Sequence, residues 1–308
     1  MQTLTITCPD DFHLHLRDGA MMHDVVEDSA RQFARAIIMP NLKPPIVTTA
    51  QALAYRERIK SALPPGCRFE PMMTLFLTDN TPADEIRAAR ENAHIYAVKY
   101  YPAGATTNSE NGVTSIDRVY PLLELMEEIR FPLLMHGEVT DADIDIFDRE
   151  RVFIERILDP LMQRFVNLPV VFEHITTRQA VEFINQGPDN LAATITPHHL
   201  LLNRNALLAR GLRPHYYCLP VLKADNIVKQ LLQQQPAGIR GFFWEQTAHR
   251  MPDTPRNQPA VVPASIPHTV PLNYMQRFLN GQGAWIDWKI LPVVSVLNFT
   301  GCHKIAAA

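Results

Sequence analysis

The residues whose spacing carries the most chemistry lie near the start of the chain, in Asp10-Asp11-Phe12-His13-Leu14-His15-Leu16-Arg17-Asp18-Gly19. Side chains on an extended segment alternate between two faces, so His13 and His15 point the same way and two imidazoles can grip one ion. Further along, His136 closes the apolar run 132–136, His174 closes the run 169–174, and Lys99 sits inside the run 95–100. Singly, each has a plainer role. An H-x-H can sit on a solvated strand face, a lone histidine can be a hydrogen-bonded core residue, and a lysine can lay its stem on apolar surface. Chemistry needs a fold that brings them to one place.

The elements that must do so are legible. Apolar runs that suit buried parallel strands occur at 4–6, continuing to the H-x-H, and at 35–40, 69–77, 95–100, 132–136, 169–174, 191–196 and 239–243. Helical patterns lie between them, with starts predicted at Thr49, at Thr81-Pro82-Ala83-Asp84 as a capping box with proline at its first position, at Ser115 and at Thr177. Eight strands alternating with helices predict an α/β fold of the (β/α)8 barrel, or TIM-barrel, type. In such a barrel chemistry collects at the C-terminal ends of the strands. There the first strand carries His13 and His15, the second Asn41, the fourth Lys99, the fifth His136 and the sixth His174.

Four neutral imidazoles suit zinc. An ammonium is a poor ligand, but the neutral amine of Lys99 could take up carbon dioxide and become a carbamate, an anion with two oxygens able to bridge two ions. Such paired ions sit roughly 3.5–4 Å apart, and water between them loses a proton near neutral pH and becomes a nucleophile.

Composition narrows the partners. A chain of 308 residues, 46% hydrophobic and 20% charged with net charge -3, is globular and long enough for a large core. It has no basic footprint for nucleic acid and no polybasic membrane patch, so a small-molecule partner is expected. Cys8, Cys67, Cys218 and Cys302 are scattered without framework spacing. The start lacks the basic and apolar regions of a signal peptide, and no apolar run nears the roughly 18 residues of a membrane span. A reducing cytoplasm is the expected location.

The segments DDFHLHLRDG, IIMPNLKPP, AVKYYPAGATTNSENGVTS, PLLMHGEVTDADIDIFDRE, VVFEHITT, LAATITPHHLLLNRN and RPHYYCLPVLK together resemble the short bacterial type of dihydroorotase, an amidohydrolase of pyrimidine synthesis. The resemblance covers residues 4–243. It implies a reversible, zinc-dependent ring closure of N-carbamoyl-L-aspartate to L-dihydroorotate. It also implies two zinc ions per subunit, one on His13 and His15 and one on His136 and His174, bridged by carboxylated Lys99. By the same resemblance, Arg17 and Asn41 hold the substrate carboxylate, the backbone of Leu219 meets the pyrimidine ring, Thr106 and Thr107 belong to a mobile loop over the substrate, and His136 also faces it. A homodimer is implied as well. Among cyclic amidohydrolases, Arg17, Asn41 and the Thr106-Thr107-Asn108 loop favour dihydroorotase over hydantoinase, dihydropyrimidinase or allantoinase.

The likeness breaks after Phe243. The family carries its acid/base, which is also a zinc ligand, as an aspartate in a G-T-D-x-x-P-H motif after the eighth strand; here that position is Thr247. All three tryptophans, Trp244, Trp285 and Trp288, fall in this tail, its acidic residues are Glu245, Asp253 and Asp287, and prolines recur at Pro252, Pro255, Pro259, Pro263, Pro267 and Pro271. No helix able to close a barrel fits among those prolines. The codons for residues 244–252, TGG GAR CAR ACN GCN CAY CGN ATG CCN, read one base earlier as xTG GGA RCA RAC NGC NCA YCG NAT GCC. They permit L-G-T-D-S-A-P-H-A, with the glycine and the last alanine forced. Residues 272–278 re-read in the same frame permit E-L-Y-A-T-V, with the alanine forced. Loss of one base after the codon for Phe243 is therefore expected, giving residues 1–243 as the barrel domain and 244–308 as an out-of-frame tail that forms no native domain. A catalytically impaired chain that keeps part of the metal site is the second reading of function.

Overall fold

The computed structural model describes residues 8–224 and the strand Phe242–Trp244. Eight parallel strands form one sheet in chain order: β1 (Asp10–Leu14), β2 (Arg35–Ile38), β3 (Glu70–Phe76), β4 (Ile95–Tyr100), β5 (Leu133–His136), β6 (Val170–Glu173), β7 (Leu191–Ile195) and β8 (Phe242–Trp244). β8 returns beside β1, so the sheet rolls into a nearly closed barrel. The expected strand segment 4–6 lies outside the described residues. At the foot of the barrel, Arg35 holds Asp10 across β1 and β2 with two hydrogen bonds, of 3.0 and 2.6 Å.

The helices wrap the outside: α1 (Gly19–Ala30), α2 (Thr49–Ala62), α3 (Ala83–Glu91), α4 (Tyr120–Glu128), α5 (Arg149–Phe153), α6 (Asp159–Arg164), α7 (Arg178–Gln186), α8 (Pro197–Leu201) and α9 (Arg204–Leu208). A π turn, Ile154–Leu158, joins α5 to α6. α2 is capped by Thr48 rather than Thr49, because Thr48 and Gln51 form the reciprocal capping box. The box expected at Thr81 does not form: α3 has Pro82 at its N-cap with no side-chain cap, and the Thr81 hydroxyl instead accepts from the Thr78 amide at 2.9 Å. The helix expected from Ser115 is split into a 3-10 turn, Ile116–Val119, and then α4 with Pro121 in its first turn. Thr177 caps α7 as expected.

Two apolar layers result. Phe12, Ile37, Met39, Met72, Ala97, Leu134, Val171 and Ala192 cluster by themselves, drawn from the first seven strands and their ends. They are the filling of the barrel. The larger cluster, including Leu14, Ile38, Leu75, Val98, Leu133, Met135, Val170 and Phe172, lies between sheet and helices. With period two along a strand, the next inward residues above the filling are Thr74, Lys99, His136, Glu173 and Thr194, all buried.

Candidate metal centre

Lys99 and His136 reach the barrel mouth by simple alternation, two residues on from Ala97 and Leu134. The histidines of β1 need a bulge. Asp11 pairs with Ala36 and Leu14 with Ile38, so β1 spends one residue more than β2 over the same stretch. That extra residue turns His13 inward directly after inward Phe12, and the Asp11 carboxylate secures the bend by accepting from the His13 amide at 3.0 Å. His13 Nε2 and His15 Nε2 then lie 2.9 Å apart. Two ring nitrogens aimed at one point are the donor arrangement that an ion would use.

β6 solves the problem differently. Glu173, not His174, pairs in register with His136 of β5. His174 follows the strand with φ of 44°, a left-handed conformation that histidine adopts more readily than most residues. This reverses the alternation, so two neighbours both face the barrel axis. Thr194 of β7 fixes the reversal by accepting from the His174 amide at 2.8 Å. The His174 ring sits 5.3 Å from that of His13 and 4.7 Å from that of His136, and its Nδ1 is buried without a hydrogen-bond partner among the described residues.

Four of the expected ligands, His13, Lys99, His136 and His174, thus converge with His15 beside them. The sequence reading missed Glu173. Its carboxylate makes an ion pair with Lys99 and lies 3.0 Å from His13 Nδ1. His13, Glu173 and His174 each offer a ligand atom, all within 4.8 Å of one another. The signal is in the sequence, because Glu173 stands two residues after inward Val171 at the end of β6.

Electrostatics suit cation binding. Burial pushes His174 well below the ordinary imidazole range, reinforced by charge on His136, Lys99, His13 and His199. Burial also lowers His136, against the pull of Glu138, whose Oε2 is 2.9 Å from His136 Nε2. A neutral imidazole keeps the lone pair that a metal needs. Gly137 between them is obligatory, since a Cβ there would lie 1.7 Å from the Phe172 ring.

The expected substrate residues occupy the same end of the barrel by different means. Arg17 follows His15 with φ of 62°; burial lowers its guanidinium pKa, and Tyr55 donates its hydroxyl to the Arg17 carbonyl. Asn41 is buried after β2, and its Nδ2 donates to the Thr107 carbonyl at 2.9 Å. Asn108 returns a bond to the Asn41 carbonyl at 3.0 Å. Asn41 and the Thr106-Thr107 loop are therefore joined, with Thr106 bracketed by Ser109 through bonds of 2.9 and 2.7 Å. Leu219 is half-buried in the turn before Pro220, and that turn is held because His199 Nε2 donates to the Pro220 carbonyl at 2.8 Å. Thr247 lies outside the described residues.

A parallel barrel whose strand ends gather imidazoles, a lysine and a carboxylate defines a metal-dependent hydrolase class. The model of the Amidohydrolase family matches residues 6–221. The dihydroorotase of Nitrosococcus oceani is 61% identical over 241 residues, covering 78% of this chain and 70% of the relative. That of Azoarcus sp. is 58% identical over 243 residues, covering 79% and 71%. Among solved structures, the dihydroorotase of Campylobacter jejuni superposes with TM-score 0.72 at 37% identity over 78% of this chain and 69% of that one. The Saccharomyces cerevisiae dihydroorotase in complex with 5-fluoroorotic acid gives 0.68 at 31%, over 77% and 68%. The chain belongs to the amidohydrolase family, in its dihydroorotase branch.

Proposed function

We propose that this barrel is built for the reversible, zinc-dependent interconversion of N-carbamoyl-L-aspartate and L-dihydroorotate. The observation that carries the reading is the meeting of His13, His15, Lys99, His136 and His174 at one barrel mouth, with the Nε2 atoms of the H-x-H pair 2.9 Å apart. On this reading two divalent ions per subunit would be held, one by His13 and His15 and one by His136 and His174, with Lys99 shared between them as a carbamate. Carboxylation joins the neutral Nζ to carbon dioxide through a new N–C bond and releases one proton. When bound, such ions supply Lewis acidity toward the amide carbonyl and a lowered pKa for water.

The chain's own groups do the rest. Arg17 and Asn41 orient the substrate carboxylate, for which a planar guanidinium fork is well shaped. The Thr106-Thr107 loop, already tied to Asn41, excludes water when substrate is in place. The Leu219 backbone faces the ring. The proton that must pass between water and the ring nitrogen has no carrier at Thr247, because a hydroxyl is not ionised near neutral pH.

The domain boundary follows. Residues 1–243 form the amidohydrolase barrel and residues 244–308 are an out-of-frame tail, supported by similarity that runs for 241 of the chain's 308 residues in one relative and by the forced codons of the alternative frame. The chain as written is then an impaired dihydroorotase that retains metal ligands. A homodimer in the cytoplasm is the setting; among the described residues no helix is long and apolar enough to cross a membrane.

The test compares this chain with one whose residues after Phe243 are encoded in the alternative frame. The restored chain should hydrolyse dihydroorotate and spare hydantoin, and the chain as written should be roughly 10²–10⁴-fold slower, the usual cost of losing an acid/base. Equal rates would overturn the assignment of Thr247, and a restored chain inert toward dihydroorotate would overturn the function.

A further inference from the structure

Arg17 stands where a side chain is hard to hold. Its φ of 62° lies in the left-handed region that arginine rarely adopts, in the turn between β1 and α1, and such a conformation persists only where neighbours fix it. Burial lowers the pKa of its guanidinium, and Tyr101 and Tyr55 act against that electrostatically. The Tyr101 ring is in turn 6.1 Å from the ring of His136.

Two residues of α2 grip the backbone of this turn. The Tyr55 side chain is fully buried, and its hydroxyl donates to the Arg17 carbonyl. Burial pushes the pKa of that hydroxyl up, so it keeps its proton. One turn further along the same helix face, Arg58 donates from Nε to Asp18 Oδ1 at 3.1 Å and from Nη2 to Asp18 Oδ2 at 2.8 Å. Asp18 Oδ1 also accepts from the Gly19 amide at 2.9 Å and so caps α1. The Arg58 guanidinium carbon sits 5.2 Å from the centroid of the Tyr55 ring, which makes the two side chains one clasp. A hydrogen bond to the Arg17 carbonyl fixes the plane of the peptide joining Arg17 to Asp18, and the Asp18 contacts fix its far side. The contacts differ in weight. Arg58 and Asp18 are 44% and 40% exposed, and an ion pair that wet holds little. The buried bond from Tyr55 does most of the holding.

We propose that Tyr55 is a positioning residue for the substrate carboxylate: by holding the Arg17 carbonyl it locks the left-handed turn and aims the guanidinium at the barrel mouth before substrate arrives, with Arg58 as its brace. This rests on the reading of Arg17 as a carboxylate ligand given above. Preorganisation of this kind lowers the ordering cost of binding and leaves the chemical step alone.

Tyr55→Phe removes one oxygen and leaves the ring in place. In the substrate-free full chain the Arg17 Nε–H vector, read by ¹⁵N relaxation, should be ordered, and in the folded variant its order parameter should fall below about 0.6. An Arg17 vector already mobile in the parent, or equally ordered in the variant, overturns the proposal. In the chain re-encoded after Phe243, Tyr55→Phe should raise KM for dihydroorotate about 3–10-fold, the net worth of one hydrogen bond, with kcat within about twofold. A merely structural role would lower the active fraction and leave KM in place, so an unchanged KM overturns the proposal. If Tyr55→Phe does not fold, the order of Arg17 in the unsubstituted chain decides. A re-encoded chain inert toward dihydroorotate refutes the function, while the Arg17 relaxation still reports on Tyr55 separately.

Discussion

Replacing Glu150 by alanine should unfasten the loop that aims His174. Glu150, at the start of α5, is 1% exposed. Its Oε1 accepts from the Thr176 amide at 3.0 Å, the Thr177 amide at 2.8 Å and the Thr177 hydroxyl at 2.6 Å. Its Oε2 accepts from the Thr176 amide at 2.9 Å and the Thr176 hydroxyl at 2.8 Å. One carboxylate thus satisfies two backbone amides and two hydroxyls in the segment that follows His174. Burial pushes its pKa upward, with Lys223 and the two threonines pulling it back. At about 1 kcal/mol net per donor, Glu150→Ala should cost about 3–5 kcal/mol. Glu150→Gln keeps one acceptor but turns an amide N–H₂ toward the remaining donors, and should cost about 1–3 kcal/mol. Urea unfolding with an unchanged slope measures the loss. Cobalt titration of the folded Gln variant should show weakened binding, because His174 holds φ of 44° only while this loop is pinned. An alanine variant within about 1 kcal/mol of the parent would refute the reasoning.

Acid sensitivity should trace in part to His199, which burial and then His198 depress to about 3. Its Nδ1 accepts from the Thr196 hydroxyl and its Nε2 donates to the Pro220 carbonyl, so the folded form wants it neutral. Because its folded pKa lies below the unfolded value of 6.5, the unfolded chain binds the proton first. Stability is therefore lost as pH falls below 6.5, by about 2 kcal/mol at pH 5 from this residue, and in His199→Gln the pH 7 to pH 5 difference in urea stability should shrink by that amount. Lys99→Met leaves the Glu173 carboxylate buried against a methionine and should cost about 3–5 kcal/mol in urea unfolding, with metal content reduced on elemental analysis. Gly137→Ala drives a Cβ to 1.7 Å from the Phe172 ring and should cost about 1–3 kcal/mol; combined with Phe172→Ala its cost should largely vanish, as a double-mutant cycle would show.

How far the site was legible depends on how each strand delivers its residue. β4 and β5 obey alternation throughout: Ala97 fills the barrel and Lys99 faces the mouth, Leu134 fills it and His136 faces the mouth. Those two could be placed from apolar pattern alone. The H-x-H gave the shared face of His13 and His15 but not the bulge that puts His13 on the axis after Phe12, since an extra residue leaves no mark on composition. Helix starts suffered from the same competition among small polar residues. Thr48 and Thr49 are adjacent, and only the Gln51 amide decides between them; Thr81 was the better-looking cap, but a nearby Thr78 amide claimed its hydroxyl. The tail after Trp244 lies outside the described residues, so the re-read codons bear on it alone.

β6 is the instructive failure. Alternation from Val171 predicts that Glu173 faces inward and that His174 faces the helices, whereas the expected ligand set has His174 inward and does not include Glu173. Both side chains are inside because φ at His174 is positive. That conformation costs about 1–3 kcal/mol when unsupported, and three separate groups hold it: the Thr194 hydroxyl on the His174 amide, the Glu150 carboxylate on the two residues after Ile175, and the Glu173 carboxylate, which fills the place that strict alternation would assign. At β6 the local rule is broken so that two neighbours, Glu173 and His174, both face the axis. The break is supported from β7, from α5 and from β6 itself, so no segment of sequence read in isolation contains the reason for it.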